Sequence, residues 1–393
     1  MSEDYSLGFN SYLHPLEEFL EIIKERREGP LPIYSVTLRD GMQRRDGLGR
    51  IIQSNLNNED NLFAAKNDIC YNMMRMWQGA SGIAPEDCLV SPAYVVCRPK
   101  EDLHPCFAAH LLKSEQAKKS FIDRSQGVTS DRWRLYPEEF LKIRLPIPPL
   151  PEQKKIAEIL SGIDKTLERT KRRTTTLEAL EIATRDELFE NLAKESHSER
   201  KLSEIALAPI TYGIVQPGDY DPNGIILVRG QDYLQGWGKK EFFKVSPELS
   251  DKYRRSLIQP KDVLICIAGA STGDSSITPK WISNANITQT TARVRVDTNI
   301  ISPEFFLEFT KSRVGRERLM NYVRGSAQPG LNLSDIEKIV IPIPGNDQQQ
   351  QISNSLDSLK KLVLSSRNKE DYLKQIKKGL SSDLLSGRKR VSV

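Results

Sequence analysis

The sequence predicts an α+β protein of two mixed, β-rich halves, each ending in one long helix of coiled-coil character. Three observations predict it: an internal repeat at a fixed offset of 196 residues, a proline-rich turn at the same place in each copy, and a proline-free apolar seam after each turn. At 393 residues the chain exceeds what one hydrophobic core usually serves, which agrees with two globular units.

The repeat is carried by LPIPPLPEQKKIAEILSGID, residues 145–164, which returns as IPIPGNDQQQQISNSLDSLK, residues 341–360. Without a gap, Leu135, Ile143, Pro146, Pro148, Gln153, Ile156 and Leu160 meet Leu331, Ile339, Pro342, Pro344, Gln349, Ile352 and Leu356. A period this long is domain duplication, since solenoid repeats run at roughly 20 to 50 residues. Strands are expected at Tyr34 to Leu38, Tyr94 to Arg98, Ile225 to Val228, Val263 to Ile267 and Thr291 to Val296, with turn residues between them. Pro146, Pro148, Pro149 and Pro151 are expected to mark a rigid extended exit from the first half, with the helix starting at about Glu152.

From there to about Ala193, Ile156, Leu160, Ile163, Leu167, Leu177 and Leu188 follow 3-4 spacing. The second copy places Ile352, Leu356, Leu359, Val363, Leu373 and Leu384 on the equivalent seam. Both seams turn polar at their centres, at Thr170 and Thr174 and at Ser366 and Glu370. An antiparallel pairing would set Thr174 against Ser366 and Thr170 against Glu370, but a parallel one also aligns the polar layers. The alternative is that these residues are simply exposed. The domain boundaries read from this pattern are 1–145, 146–199 for the turn and central helix, 200–341, and 342–393 for the distal helix.

The formal charge of +5, from 57 basic and 52 acidic residues, permits nucleic-acid binding without demanding it. Cys70, Cys88, Cys97, Cys106 and Cys266 are odd in number and lack Cys-x-x-Cys spacing, which disfavours a disulfide framework or zinc ribbon and suits a reducing cytoplasm. His104, Cys106 and His110 are read as ordinary residues of a helical stretch rather than metal ligands. No stretch approaches the ~20 apolar residues of a membrane span and no leader is evident, so a soluble, unexported protein is expected. There is no P-loop, no Gly-x-Gly-x-x-Gly, and no Asn- or Asp-Pro-Pro-aromatic quartet. Glu152-Gln153-Lys154 superficially suggests a nuclease motif, but its repeat partner Gln348-Gln349-Gln350 could not hold Mg²⁺ through carboxylates.

Several loops combine arginine, glutamine, asparagine and aromatic residues, the side chains that read base edges and hold phosphates. In the first half these are Arg39, Gln43, Arg44 and Arg45, then Arg75, Trp77 and Gln78, then the strip Arg132, Trp133 and Arg134. In the second they are Arg229, Gln231 and Tyr233, then Trp237, Lys239 and Lys240, then Thr272 in the Gly269 to Gly273 loop, Asn286 and Gln289, and Arg324 to Gln328. The halves share scaffold and differ in these loops, which suits recognition of two different half-sites.

The duplicated proline-to-helix element, the segments GVTSDRWRLYPEEFLKIRLPIPP and RGSAQPGLNLSDIEKIVIPIP before it, and YSVTLRDGMQRRDG, YNMMRMWQGASGIAPEDCLVSPAYVV and RGQDYL resemble the specificity subunits of type I restriction-modification enzymes. The resemblance covers nearly the whole chain. It implies two target-recognition domains held by antiparallel helices, a bipartite double-stranded DNA target, and a non-catalytic bacterial or archaeal cytoplasmic protein. It further implies two modification subunits that carry S-adenosylmethionine and methylate adenine, and restriction subunits that use ATP and Mg²⁺. No cofactor is expected on this chain itself, and no membrane partner. Two departures stand out: the first half shows little of the Arg200 to Ala206 lead-in, and the second turn replaces Pro-Glu-Gln by a glutamine run. The rival readings are a stand-alone methyltransferase or nuclease, which the missing motifs disfavour, and a coiled-coil scaffold with no DNA role.

Overall fold

The computed structural model describes residues 13–27, 29–47, 60–129, 132–195, 198–234, 236–238, 241–325 and 329–392. Contacts divide the chain into two compact units, 1–171 with 368–393, and 172–367. Each unit therefore owns a part of each long helix, because the division falls inside both.

Unit 1 begins with β1 (Leu13–Pro15), β2 (Leu20–Ile23), β3 (Ile33–Thr37), β4 (Gly41–Arg44), β5 (Leu62–Ala64), β6 (Ile69–Asn72), β7 (Ser81–Ile83), β8 (Cys88–Val90) and β9 (Tyr94–Pro99). Helices α1 (Pro105–Leu111), α2 (Glu115–Arg124) and α3 (Pro137–Leu141) follow, then β10 (Arg144–Pro146) and α4 (Leu150–Lys194). The strands order as β2-β9-β6-β7 and β4-β3-β8-β5, with β3 and β8 parallel, and β1 pairs with β10. Strand alternation explains why β6 and β9 are apolar on both faces. Ile69, Tyr71, Val95 and Cys97 turn to the core shared with the helices, while Cys70 and Val96 turn to the core of the other sheet. The sheets approach so closely at β4 and β7 that a Cβ on Gly82 would lie 2.5 Å from the Met42 nitrogen.

Unit 2 repeats the plan with β11 (Ser198–Lys201), α5 (Leu202–Ile205), β12 (Thr211–Tyr212), β13 (Ile225–Val228), α6 (Gly230–Tyr233), β14 (Phe243–Val245), α7 (Pro247–Lys252), β15 (Val263–Cys266), β16 (Ser275–Ile277), β17 (Asn286–Ile287) and β18 (Thr291–Val294). It closes with α8 (Pro303–Lys311), α9 (Arg313–Met320), α10 (Leu333–Ile336), β19 (Val340–Ile343) and α11 (Asn346–Leu385). Its sheets order as β12-β18-β15-β16 and β14-β13-β17, again with one parallel pair, β13 and β17. The expected strands are all present, with ends within two residues of those expected.

The first half does have the lead-in that its sequence hides. β1 pairs with β10 as β11 pairs with β19, and the Leu16 and Leu202 amides donate equivalently to the carbonyls of Ile143 (3.0 Å) and Ile339 (2.8 Å). Helix α4 starts at Leu150 rather than at about Glu152, with Pro151 in its first turn. Proline is tolerated there because a first-turn N–H has no partner within the helix.

Gln153 and Gln349 explain why the repeat keeps glutamine where so much else has drifted. Gln153 Oε1 accepts from the His104 amide (2.8 Å), and its Nε2 donates to the carbonyls of Asp102 (2.9 Å) and Pro148 (2.8 Å). Gln349 does the same with Ser302 (2.8 Å), Ile300 (3.0 Å) and Pro344 (3.0 Å). The glutamine run thus preserves the keystone, despite the loss of Pro-Glu-Gln. Both amides are buried, so each ties a helix start to its own globular body. Replacing Gln153 by alanine should lower stability by about 2–4 kcal/mol through orphaned groups, and Gln153→Glu at least as much, because a carboxylate oxygen would face two carbonyls. Urea unfolding measures this, and a loss below ~1 kcal/mol for both variants would contradict it.

The long helices run antiparallel within each unit. In unit 1, Ile156 and Leu160 share a core with Leu384 and Leu385, and Asp164 pairs with Lys377 at 2.5 Å. In unit 2 the Thr174 and Ser366 hydroxyls bond at 2.8 Å, and Leu188 lines one groove with Ile352. Thr170 and Thr174 are each 6% exposed, which overturns the reading of them as surface residues. Of the seam positions, Ile156, Leu160, Ile352, Leu356, Val363 and Leu384 are buried, while Ile163, Leu167, Leu177, Leu188, Leu359 and Leu373 are half-buried.

A buried ionic centre joins three helices of unit 2. Arg185 of α4 donates to Glu308 of α8 at 2.9 Å, Lys360 of α11 pairs with the same carboxylate, and Arg185 also pairs with Glu181. Burial pushes the Glu308 carboxyl up, but Lys360 and Arg185 outweigh it and hold it below the usual glutamate range.

Candidate nucleic-acid interface

In each unit, the loop following a central strand meets the segment that links the second and third helices after the sheets. In unit 1 the Leu135 amide donates to the Met73 carbonyl (3.0 Å), and Gln126 and Arg134 exchange two backbone bonds (3.0 and 2.9 Å). In unit 2 the Leu331 amide donates to the Ile267 carbonyl (2.9 Å), and Arg324 and Gly330 exchange two bonds of 3.0 Å. The scaffold of this junction is the same twice. The side chains it presents are not.

In unit 1 the junction brings together two clusters that lie far apart in sequence. Arg75 and Gln78, exposed, flank Trp77 on the 3-10 turn Met76–Gln78, and Trp77 Nε1 donates to the Met74 carbonyl at 3.2 Å. Trp133 meets Trp77 edge to face, 5.4 Å between ring centroids, with exposed Arg132 and Arg134 on either side. Arg75, Arg132 and Arg134 make no ion pair among the described residues, so three exposed arginines that neighbour the two tryptophans along the chain have their donors available.

The other expected cluster of this unit lies on the β3–β4 hairpin. Arg39 is exposed at its turn, Gln43 donates to the Asp40 carbonyl (3.1 Å), Arg44 pairs with Asp46 (3.0 Å), and Arg45 donates to the Ser35 hydroxyl (3.1 Å). Arg39 is thus the freer side chain there, while the others are engaged locally.

Unit 2 corrects three expectations. Tyr233 is interior, with its hydroxyl bonded to Thr291 Oγ1 at 3.1 Å; Asn286 is fully buried on β17; Thr272 is 5% exposed. Side chains placed there to complete the core cannot meet a groove edge in this conformation. Thr272 instead braces the junction, donating to the Gly269 (2.7 Å) and Pro329 (2.9 Å) carbonyls. Gln231 and Gln289 are exposed, Arg229 is held by Asp232 at 3.1 Å, and Arg324 reaches Asp335 at 3.3 Å. Lys239, Lys240 and Gln328 lie outside the described residues.

Sequence reasoning missed Trp281, which is 57% exposed and packs edge to face on Trp237 at 6.2 Å. Trp237 in turn donates to the Ser276 hydroxyl at 3.0 Å. The four tryptophans of the chain therefore form two edge-to-face pairs, one in each unit. The Pro279-Lys280-Trp281 turn was the available signal, a large aromatic beside a cation and a turn-forming proline.

The remaining polar candidates are structural. His104 Nδ1 caps α1 by accepting from the Phe107 amide, His110 bonds Ser161 Oγ at 3.1 Å, and no cluster of metal-ligating side chains occurs among the described residues. Glu152 is buried and held by Arg390 (2.7 Å) and the Val391 amide (3.2 Å), leaving no open carboxylate for a nuclease centre.

Comparison with known proteins places this twofold plan. The model of the type I restriction modification DNA specificity domain matches the chain twice, over residues 19–179 and 216–375. The chain belongs to the type I restriction-modification specificity family. Among its relatives, the EcoBI specificity subunit of Escherichia coli is 31% identical over 243 residues, covering 55% of this chain and 51% of that protein. The putative MjaX specificity subunit of Methanocaldococcus jannaschii is 24% identical over 362 residues, covering 88% of this chain and 79% of that one. The fold is similar to that of the type I restriction-modification S subunit from M. genitalium, with TM-score 0.58 at 17% identity over 96% of this chain and 98% of that one. The HsdS subunit from Thermoanaerobacter tengcongensis gives TM-score 0.52 at 16% identity over 96% and 98%. The α+β duplication of this specificity-family chain, with its long helix in each half, agrees with those folds. No helix among its described residues is long and apolar enough to cross a membrane.

Proposed function

We propose that the chain is a non-catalytic specificity subunit that reads a bipartite sequence in double-stranded DNA, one half-site per unit. The observation that carries this is the junction built identically in both units but furnished with different side chains. Arg75, Trp77, Gln78, Arg132 and Arg134, with Arg39, Gln43, Arg44 and Arg45 on the neighbouring hairpin, read one half-site and hold its phosphates. Arg229, Gln231, Gln289 and Arg324, with Lys239, Lys240 and Gln328, serve the other. Arginine suits both tasks, because its fork matches guanine edges and phosphate oxygens.

The chain docks two modification subunits, which supply S-adenosylmethionine and methylate adenine, and restriction subunits, which supply ATP-driven chemistry. With a charge of only +5, it binds DNA weakly by itself, and specific affinity appears when the modification subunits close around the duplex. Mapping methylated adenines in cells that carry this chain with its modification subunits tests the reading. Two short blocks separated by unspecified bases support it, and a single continuous target would sink it.

Helices α4 and α11, of 45 and 40 residues, set the gap in this proposal. Inserting seven residues beside Thr174 and seven beside Ser366 keeps the apolar seam and adds about 10.5 Å, close to three base pairs at ~3.4 Å. Methylation sequencing should then return both original half-sites across a longer gap, whereas an active enzyme with an unchanged gap would show that something else dictates spacing.

A further inference from the structure

The duplication supplies an internal control for a cleft that occurs once in each unit. It lies between the C-terminal part of a long helix and the pair of helices that begins with α1 or α8. In unit 2 the cleft is about 490 Å³. Lys311, the counterpart of Lys113 counted from the N-caps Ser302 and His104, has no ion pair among the described residues, but the three arginines of the lining are matched within the chain. Arg316 bonds Asp274 at 2.6 Å, Arg313 donates its amide to Asp186 at 2.7 Å and pairs with Glu190, and Arg185 pairs with Glu181 and Glu308.

In unit 1 the corresponding cleft is about 480 Å³ and is lined by Lys113, Lys374, Lys377 and Lys378. At the repeat offset, Lys374, Lys377 and Ser382 of α11, and Ser386 just after it, stand where α4 has Glu178, Glu181, Asp186 and Glu190. Every carboxylate of that face has thus become an ammonium or a hydroxyl. Lys377 pairs with Asp164 at 2.5 Å and Lys374 with Glu370 at 2.8 Å and Asp371 at 3.2 Å. Lys113 and Lys378 have no ion pair among the described residues, and the one carboxylate of the lining, Glu115, is paired with Lys118 at 2.6 Å.

We infer that the unit 1 cleft binds a phosphate-class anion, supplied either by a nucleic-acid backbone or by a free phosphorylated molecule. Lysine ammonium groups act as point charges toward phosphate, and serine hydroxyls add donors that need no counter-charge. Desolvation and the neighbouring Lys377 ammonium pull the Lys113 pKa down against the opposing pull of Asp164 and Asp40, and a bound anion would favour the charged ammonium. The inference goes beyond the DNA-reading junction, since none of these residues belongs to it.

The test uses the full chain and sodium tripolyphosphate as probe, by titration calorimetry at low ionic strength. Lys113→Gln with Lys378→Gln removes the two unpaired ammonium groups without breaking an ion pair, and Lys24→Gln with Lys66→Gln is the charge-matched control outside the cleft. The cleft variant should bind tripolyphosphate at least tenfold more weakly than the wild type, and the control should not. A second arm measures a random duplex across salt concentrations. A slope lower by ~1–2 in the cleft variant alone identifies the nucleic-acid backbone as the source, and an unchanged slope identifies a free phosphorylated molecule. Equal tripolyphosphate affinity together with equal slopes in cleft variant and control would overturn the inference. A wild-type chain that binds tripolyphosphate but no duplex leaves the cleft established with a free phosphorylated molecule as its ligand, while the DNA reading is judged separately by methylation mapping with the modification subunits.

Discussion

Replacing Arg75, Arg132 and Arg134 together by alanine is expected to abolish recognition of one half-site and leave the other read as before. All three are exposed and lack ion pairs among the described residues, so their loss should leave the melting temperature close to wild type. Even at the low end of ~1 kcal/mol per base contact, three contacts amount to about a hundredfold in affinity. Arg316→Ala in unit 2, outside the junction, is the control. Methylation sequencing of each variant with its modification subunits gives the answer. Relaxation at both half-sites, or at neither, would remove the junction of unit 1 from its assigned role.

Replacing Glu308 by alanine should destabilise unit 2 by about 3–5 kcal/mol, because it strands the buried Arg185 and the neighbouring Lys360 without their shared carboxylate. For a unit of this size that is a fall on the order of 10 °C in its thermal transition. Removing three of the charges together, as Arg185→Met, Glu308→Leu and Lys360→Met, should recover part of the loss, since well-packed apolar groups escape the desolvation penalty, the remainder being the Glu181 carboxylate left without Arg185. Differential scanning calorimetry reads both variants. If the triple variant is no more stable than Glu308→Ala, the centre is more than a balanced ion cluster.

The same centre has a pH signature. Glu308 is held below the usual glutamate range in the fold, so its contribution is complete above that range and is lost as pH falls through the depressed value. Counted from the N-caps His104 and Ser302, the residue of α1 that corresponds to Glu308 of α8 is His110, whose pKa is lowered by burial against the opposing pull of Asp164. A histidine kept neutral by the fold contributes above its ordinary value and loses that contribution as pH drops below it. Unit 1 should therefore begin to weaken at milder acidity than unit 2, and separate thermal transitions followed from pH 7 to pH 4 would show the order.

Much of the architecture was legible in the sequence because its signals are local or periodic. The 3-4 spacing of Ile156, Leu160, Ile352 and Leu356, the fixed offset between Gln153 and Gln349, and the β-branched run Ile225 to Val228 each state a backbone conformation within a few residues. The polar centre of the helix seam was equally plain, but its direction was not, since a central break aligns with either polarity. It took the Thr174 to Ser366 bond and the Asp164 to Lys377 pair to make the helices antiparallel.

Sequence also placed the basic and aromatic loops but could not say which of them meet. That depends on strand order: β9 sits between β2 and β6, and β6 beside β7, which carries Arg75 to Gln78 up to the segment holding Arg132 to Arg134. Composition likewise made Tyr233 and Asn286 look like readers, whereas the parallel pairing of β13 with β17 and the packing of α6 drew them inside. The sequence by itself determined the duplication, the elements and the family, because those rest on patterns written along the chain. Only the tertiary structure decided which polar side chains remain exposed, because exposure depends on what each element packs against across long stretches of sequence.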